Sequence, residues 1–144
     1  MISYVKAAVF QFFAGKSAES LSIDIDSKTY EGIFFMFSVF NSNQYGYNVG
    51  FTENTSIHDG KLDIVFLKPF PIYRLPINLA ALFLRKPKWS KDLLQIQGEQ
   101  IKVKNQSELL IQMDGDPIMV TGDVFYTLYP NYLKIIIPPH LKQW

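Results

Sequence analysis

Apolar and polar side chains alternate at every second residue in several short runs of this chain, a period that only an extended strand turns into two distinct faces. Leu21, Ile23 and Ile25 alternate with Ser22, Asp24 and Asp26, so this strand should have one wet face. Residues 61–68, KLDIVFLK, put Leu62, Ile64 and Phe66 on one side, and Ile101 and Val103 alternate with Lys102 and Lys104. Residues 30–40, YEGIFFMFSVF, are aromatic, β-branched and nearly continuous, which predicts a strand with little or no wet face. Further strands are expected over 108–113, 123–128 and 132–137.

Two segments break this pattern. In residues 1–18, MISYVKAAVFQFFAGKSA, Ser3 can cap a helix, Val5, Val9, Phe12 and Phe13 recur near helical period, and Gly15 can end it. Gln11 interrupts the apolar stretch and Lys6 alone supplies charge before it, so a structural helix outweighs a signal peptide. Residues 72–85, IYRLPINLAALFLR, also predict a helix, with Pro76 tolerable only near the first turn. Mostly sequential strands with two helices make the fold class mainly β, an antiparallel β-sandwich with one or two helical insertions. With 144 residues and 48% hydrophobic content, the chain can bury a real core as a single domain spanning 1–144.

Several kinds of chemistry are missing. The 14 Lys+Arg against 13 Asp+Glu leave a formal charge of +1, so no global field recommends a nucleic-acid partner. Cysteine is absent, which rules out disulfide staples and thiolate metal sites and fits a reducing, cytoplasmic setting. The longest apolar run, residues 79–84, falls far short of the roughly 20 residues a membrane-spanning helix needs. No G-x-x-x-x-G-K-[ST] or G-x-G-x-x-G cradle for phosphates occurs, and His58 and His140 are the only histidines. No G-x-S-x-G elbow marks a nucleophilic serine. Residues 41–60, NSNQYGYNVGFTENTSIHDG, have no clean period, and a connection this long is functional or disordered in most compact domains.

Residues 108–120, ELLIQMDGDPIMV, set Asp114 and Asp116 either side of a glycine and between two apolar runs. Asp-Gly in that setting is a strong hairpin signal. In an extended backbone the two side chains would instead share a face, their α-carbons roughly 6.6 Å apart, close enough for one charge to raise the other's pKa. A stiff hairpin tip is also a good platform for a base, so the two possibilities are compatible.

HDGKLDIVFLKPF, then an apolar helix, then LLIQMDGDPIMV and YLKIIIP, resembles the C-terminal part of the diacylglycerol kinase and sphingosine kinase-like lipid kinases of bacteria. Members of that family read D-G-x-L-D-[VI] followed by Lys-Pro, and later Q-x-D-G-E-P. SYVKAAVFQFF and the strand ending VFN match in position as well, so the likeness covers nearly the whole chain.

The resemblance implies a β-sandwich domain that supplies the lipid pocket and the base of a two-domain enzyme, without the N-terminal nucleotide-binding domain and its Gly-Gly-Asp-Gly-Thr signature. Such a fragment would be inactive by itself. It implies Asp114 as the general base for a lipid hydroxyl attacking the γ-phosphate of ATP, with Asp116 holding it by hydrogen bonding or tuning its charge. Asp116 stands where the family has Glu, one methylene longer. A structural Mg²⁺ is implied at Asp59, with the carbonyls of Ser56 and Lys61, against the simpler reading of Asp59-Gly60 as a turn. The family's Y-G-G-G-[MF] is YGYNVGF here, with Tyr47 and Asn48 in place of glycines.

Arg85, Lys86, Lys88 and Lys91 surround Trp89 after an apolar helix, a composition suited to peripheral contact with an anionic membrane, or to a core helix with a solvated basic end. The expected partners are therefore the lipid substrate, the membrane surface and the nucleotide domain of the parent chain, with a homodimer left open. The alternative is a non-catalytic β-sandwich module binding lipid or sugar. A glycosidase fits less well, because its acids must oppose one another across the scissile bond.

Overall fold

The computed structural model describes residues 18–42, 56, 59–84, 86–114, 116–130 and 132. The helix expected over 1–18, most of the connection 41–60 and the strand expected over 132–137 lie outside the described residues, as does Arg85.

The alternating segments become strands where their period is clean. β1 (Glu19–Ile25) turns through Asp26 and Ser27 into β2 (Lys28–Phe34), with Ile25 opposite Lys28. Asp26 supplies the turn's positive φ of 51°, a conformation Asp tolerates better than most residues. The long run 30–40 is not one strand. It breaks at Phe35, and β3 (Met36–Phe40) joins a different sheet from β2. The inward-facing positions change parity at the break, from Tyr30 and Phe34 to Phe37 and Val39, because the chain has crossed from one layer to the other. The dry strand expected there is also corrected, since β2 alternates and leaves Ile33 exposed.

β4 (Leu62–Leu67) is buried at every residue as the centre of the sheet β3-β4-β5. β5 (Leu93–Gly98) was not foreseen, although Leu94 and Ile96 alternate with Gln95 and Gln97. β6 (Gln100–Lys104) and β9 (Val124–Thr127) complete the second sheet, in the order β2-β1-β6-β9. β7 (Glu108–Met113) and β8 (Asp116–Thr121) pair with each other. Every ladder is antiparallel, as the sequential strands predict.

The core lies between the two larger sheets. Ile23, Ile25, Phe34, Ile101 and Val103 from one meet Leu62, Ile64 and Phe66 from the other. The Phe66 ring sits 4.8 Å from that of Phe34 and 5.3 Å from that of Phe37, so aromatic packing joins the layers around it.

The helical region opens with a 3-10 turn, Ile72–Arg74, and continues as α1 (Leu75–Phe83). Pro76 lies in the first turn of α1, where its missing N–H costs nothing. A second 3-10 turn, Pro87–Trp89, packs back against α1 and leads into β5. The helix predicted over 72–85 is thus shorter and two-part.

Candidate functional site

The hairpin of β7 and β8 is organised by its own side chains. Leu109, Ile111, Ile118 and Val120 share a half-buried face, and Leu110 and Met119 pair on the exposed one. Met113 pairs with Asp116, leaving Asp114 and Gly115 as a two-residue link. Asp114 has a φ of 52°, the left-handed conformation such links require. The extended geometry considered for this segment is therefore replaced by a tight reversal, and the extended α-carbon spacing does not apply. Asp116 is the first residue of β8, ahead of Pro117, where the turn places no demand for a carboxylate. Both acids are exposed at the tip, and among the described residues the hairpin pairs with no third strand.

Asp59 stands at the entrance to β4. One of its carboxylate oxygens accepts the backbone N–H of Lys61 at 3.0 Å, and the other accepts from Gln97 Nε2 at 3.4 Å. Gly60 takes a positive φ of 69°. These are the features of a turn closed by an aspartate side chain. They also fix the carboxylate in place, and a hard cation there would need the carbonyls of Ser56 and Lys61 and water to complete its oxygen set. Among the described residues no cluster of three or more His, Cys, Asp or Glu side chains could hold a metal, so carbonyls would have to contribute.

Four residues on, Asp63 is fully buried on β4. One of its oxygens accepts from Gln95 Nε2 at 2.9 Å, and the other has no hydrogen-bond partner among the described residues. A carboxylate in that state costs stability, so its place in an otherwise apolar strand is a feature that the pattern of LDIVFL alone does not explain.

The basic segment is held from beneath. Asp92 accepts from Arg74 Nη1 at 2.7 Å and from Asn78 Nδ2 at 3.0 Å, while Ser90 Oγ donates to Asn78 Oδ1 at 2.6 Å. Ser90 Oγ in turn accepts the Asp92 N–H at 3.1 Å. This network ties the start of α1 to the start of β5 and fixes the turn between them. Lys86, Lys88, Trp89 and Lys91 are exposed along that turn, and Pro87 is buried beneath it.

Residues 1–137 match the model of the YegS C-terminal NAD kinase beta sandwich-like domain. The chain belongs to this family. It is also 24% identical over 140 residues to a protein of Shewanella frigidimarina (strain NCIMB 400) named "Probable lipid kinase YegS-like", an alignment that takes in 97% of this chain and 43% of that protein. The chain thus spans less than half the length of that relative. A diacylglycerol kinase structure from Bacillus anthracis str. Sterne overlays with a TM-score of 0.54 at 15% identity, covering 78% of this chain and 41% of that one. A second structure from the same organism gives a TM-score of 0.59 at 20% identity, covering 83% and 42% of the two chains. At these identities the overlays speak to the fold.

Within this YegS-type sandwich domain, the predicted site residues fall into three separate places: the hairpin tip with Asp114 and Asp116, the β4 entrance with Asp59, and the turn with Lys86, Lys88, Trp89 and Lys91. Asp63, Asp92, Asn78 and Arg74 were not foreseen. An isolated carboxylate inside an apolar strand could have flagged Asp63, since buried acids need a partner. Nothing local flags the Asp92 network, whose members lie 14 and 18 residues apart.

Proposed function

We propose that this chain is the lipid-facing domain of an ATP-dependent lipid kinase that phosphorylates a hydroxyl of a diacylglycerol-like or long-chain-base lipid. The observation that carries this reading is the pair of exposed carboxylates, Asp114 and Asp116, on a tip stiffened by its own cross-strand pairing, in a chain of the YegS family. Such a tip can present a base to a substrate held across a cleft.

In this reading the lipid hydroxyl oxygen bonds to the γ-phosphorus of ATP while the bond from that phosphorus to the β,γ-bridging oxygen breaks, releasing ADP. Asp114 takes the hydroxyl proton and later gives it to water, and Asp116, at the start of β8, holds it in position. The nucleotide is bound mainly by an N-terminal domain that is no part of this sequence, so the chain alone does not turn over. Asp59, with the carbonyls of Ser56 and Lys61, would hold Mg²⁺, which supplies a fixed positive charge and stiffens the loop. The enzyme works from the cytoplasmic side at an anionic membrane surface. No helix among the described residues is long and apolar enough to cross a bilayer.

The test is transfer of radiolabelled phosphate from ATP by the full-length protein to a panel of diacylglycerols and long-chain bases. A labelled lipid supports the kinase. A protein that binds lipid or sugar and labels none of the panel supports the second reading, a non-catalytic binding module. That reading has one observation in its favour: the left-handed backbone at Asp114 accounts for an aspartate there without any chemistry.

A further inference from the structure

Two aspartates of this chain, Asp59 and Asp114, are followed directly by glycine. That order has a chemical consequence. A glycine nitrogen, with no side chain on the carbon next to it, is the least hindered backbone nucleophile for the side-chain carbonyl carbon of the aspartate before it. The two sites differ in what holds the acid. Asp59 accepts the Lys61 N–H with one oxygen and Gln97 Nε2 with the other. Asp114 is exposed at the hairpin tip, and among the described residues its carboxylate has neither a hydrogen-bond nor an ion-pair partner.

Other acids serve as comparisons. Asp26 has the same left-handed backbone as Asp114, with φ values of 51° and 52°, and a small neighbour in Ser27. Its carboxylate, however, is held by the N–H groups of Glu99 and Gln100. Asp123 is held by Lys102 and the Asn105 N–H and precedes the β-branched Val124. Asp116, beside Asp114 at the tip, precedes Pro117, which has no N–H to lose. An unhindered neighbour and an untethered carboxylate thus meet at Asp114.

We infer that Asp114 is a modification site, isomerising to isoaspartate by a slow reaction that needs only water. The Gly115 nitrogen bonds to the Asp114 side-chain carbonyl carbon. One carboxyl oxygen leaves as water, carrying the amide proton and one from solvent, and a five-membered succinimide closes. Water then opens the ring. Breaking the bond from nitrogen to the side-chain carbonyl carbon restores aspartate. Breaking the bond from nitrogen to the backbone carbonyl carbon leaves the chain running through the side chain, with the carboxylate on the former backbone carbon. Nothing is oxidised or reduced. The product has one more methylene in the main chain, which the two-residue link closed by Met113 and Asp116 does not accommodate, and its carboxylate is displaced. Under the lipid-kinase reading this removes the base with age; the chemistry itself does not rest on that reading.

Ageing the full-length protein in warm neutral buffer made with heavy-oxygen water tests it. Cleavage at lysine releases residues 105–134, and fragmentation of that peptide should show isoaspartate at 114 carrying one heavy oxygen. At least about ten-fold less should form at Asp59 and Asp26, whose hydrogen bonds must break first. Asp114→Glu, which would need a six-membered ring, should show none. Asp114→Asn closes the same ring with loss of ammonia, so it should acquire the mass of the acid as it ages. No isoaspartate at 114, under conditions that isomerise a free peptide of the same sequence, overturns the proposal, and so does equal isomerisation at Asp59. Phosphoryl transfer to lipid should fall in step with the modified fraction. Modification with undiminished transfer removes Asp114 as the base and leaves the modification site standing; an unmodified tip in an enzyme that Asp114→Asn inactivates removes the modification site alone.

Discussion

Asp26 and Gln100 clasp one another across the ends of two strand pairs. One carboxylate oxygen of Asp26 accepts the Gln100 N–H at 3.0 Å, and the Asp26 N–H donates to the Gln100 carbonyl at 2.9 Å. The same oxygen accepts the Glu99 N–H, also at 3.0 Å, so one side chain closes the β1–β2 turn onto the β5–β6 turn. Gly98 has no side chain because a Cβ there would collide with Ile25.

Asp26→Ala removes the shared acceptor and leaves a left-handed backbone that alanine disfavours, so it should cost about 2–3 kcal/mol in urea unfolding. Asp26→Asn keeps an oxygen acceptor and tolerates the backbone, and should cost less than half as much. Equal stability of the Ala variant and wild type would show that the clasp is decorative.

Phe66 is fully buried among Tyr30, Phe34 and Phe37. Phe66→Ala should therefore destabilise by about 3–5 kcal/mol. Phe125 is the control. It is 66% exposed, with Lys102 Nζ 5.4 Å above its ring, and Phe125→Ala should cost about 1 kcal/mol or less. Denaturant midpoints at unchanged slope check both values.

How legible this was depended on locality. β1, β4 and β6 follow from alternation that can be counted along a few residues, and Asp-Gly forecast the hairpin, although the positive φ expected of a glycine falls on Asp114. The crossing at Phe35 was hidden because Phe34, Phe35, Met36 and Phe37 are all apolar, and a run without polar markers cannot show a change of parity. The burial of Asn78 was out of reach for a different reason. Asn78 looks like a surface residue until Asp92 and Ser90 arrive from the far side of the turn.

The outer face of the β1-containing sheet gives a pH prediction. The Lys104 ammonium hydrogen-bonded to Asp24, helped by the Thr29 hydroxyl, holds the Asp24 carboxyl below the usual carboxylate range. Lys102 does the same for Asp123, and is itself held above the usual lysine range by that bond. A carboxyl with a lower pKa folded than unfolded contributes stability that is present above its unfolded value and lost as pH falls through the folded one. Acid should thus weaken the fold below about pH 4, and the lysine contribution should fade only above about pH 10.5. Lys104→Met should move the Asp24 carboxyl titration upward by NMR and shrink the stability difference between neutral and acid pH. Both pairs are at the surface, so the change should be small and weakened by salt.

Mg²⁺ should raise the thermal midpoint of the wild-type chain, because a ligand that binds only the folded state stabilises it. Asp59→Asn keeps an acceptor for the Lys61 N–H and so preserves the turn, yet it removes the negative charge a hard cation needs. That variant should fold normally and lose the Mg²⁺ response. A response that persists in it would place the ion elsewhere.

Asparagine is at home in the left-handed backbone of residue 114, so Asp114→Asn removes charge without disturbing the tip. The decisive measurement is phosphoryl transfer to lipid by the full-length Asp114→Asn enzyme, beside Asp116→Asn and wild type. Turnover should fall at least about 100-fold in Asp114→Asn at an unchanged thermal midpoint, and by less in Asp116→Asn. Wild-type turnover in Asp114→Asn would contradict the assignment of the base.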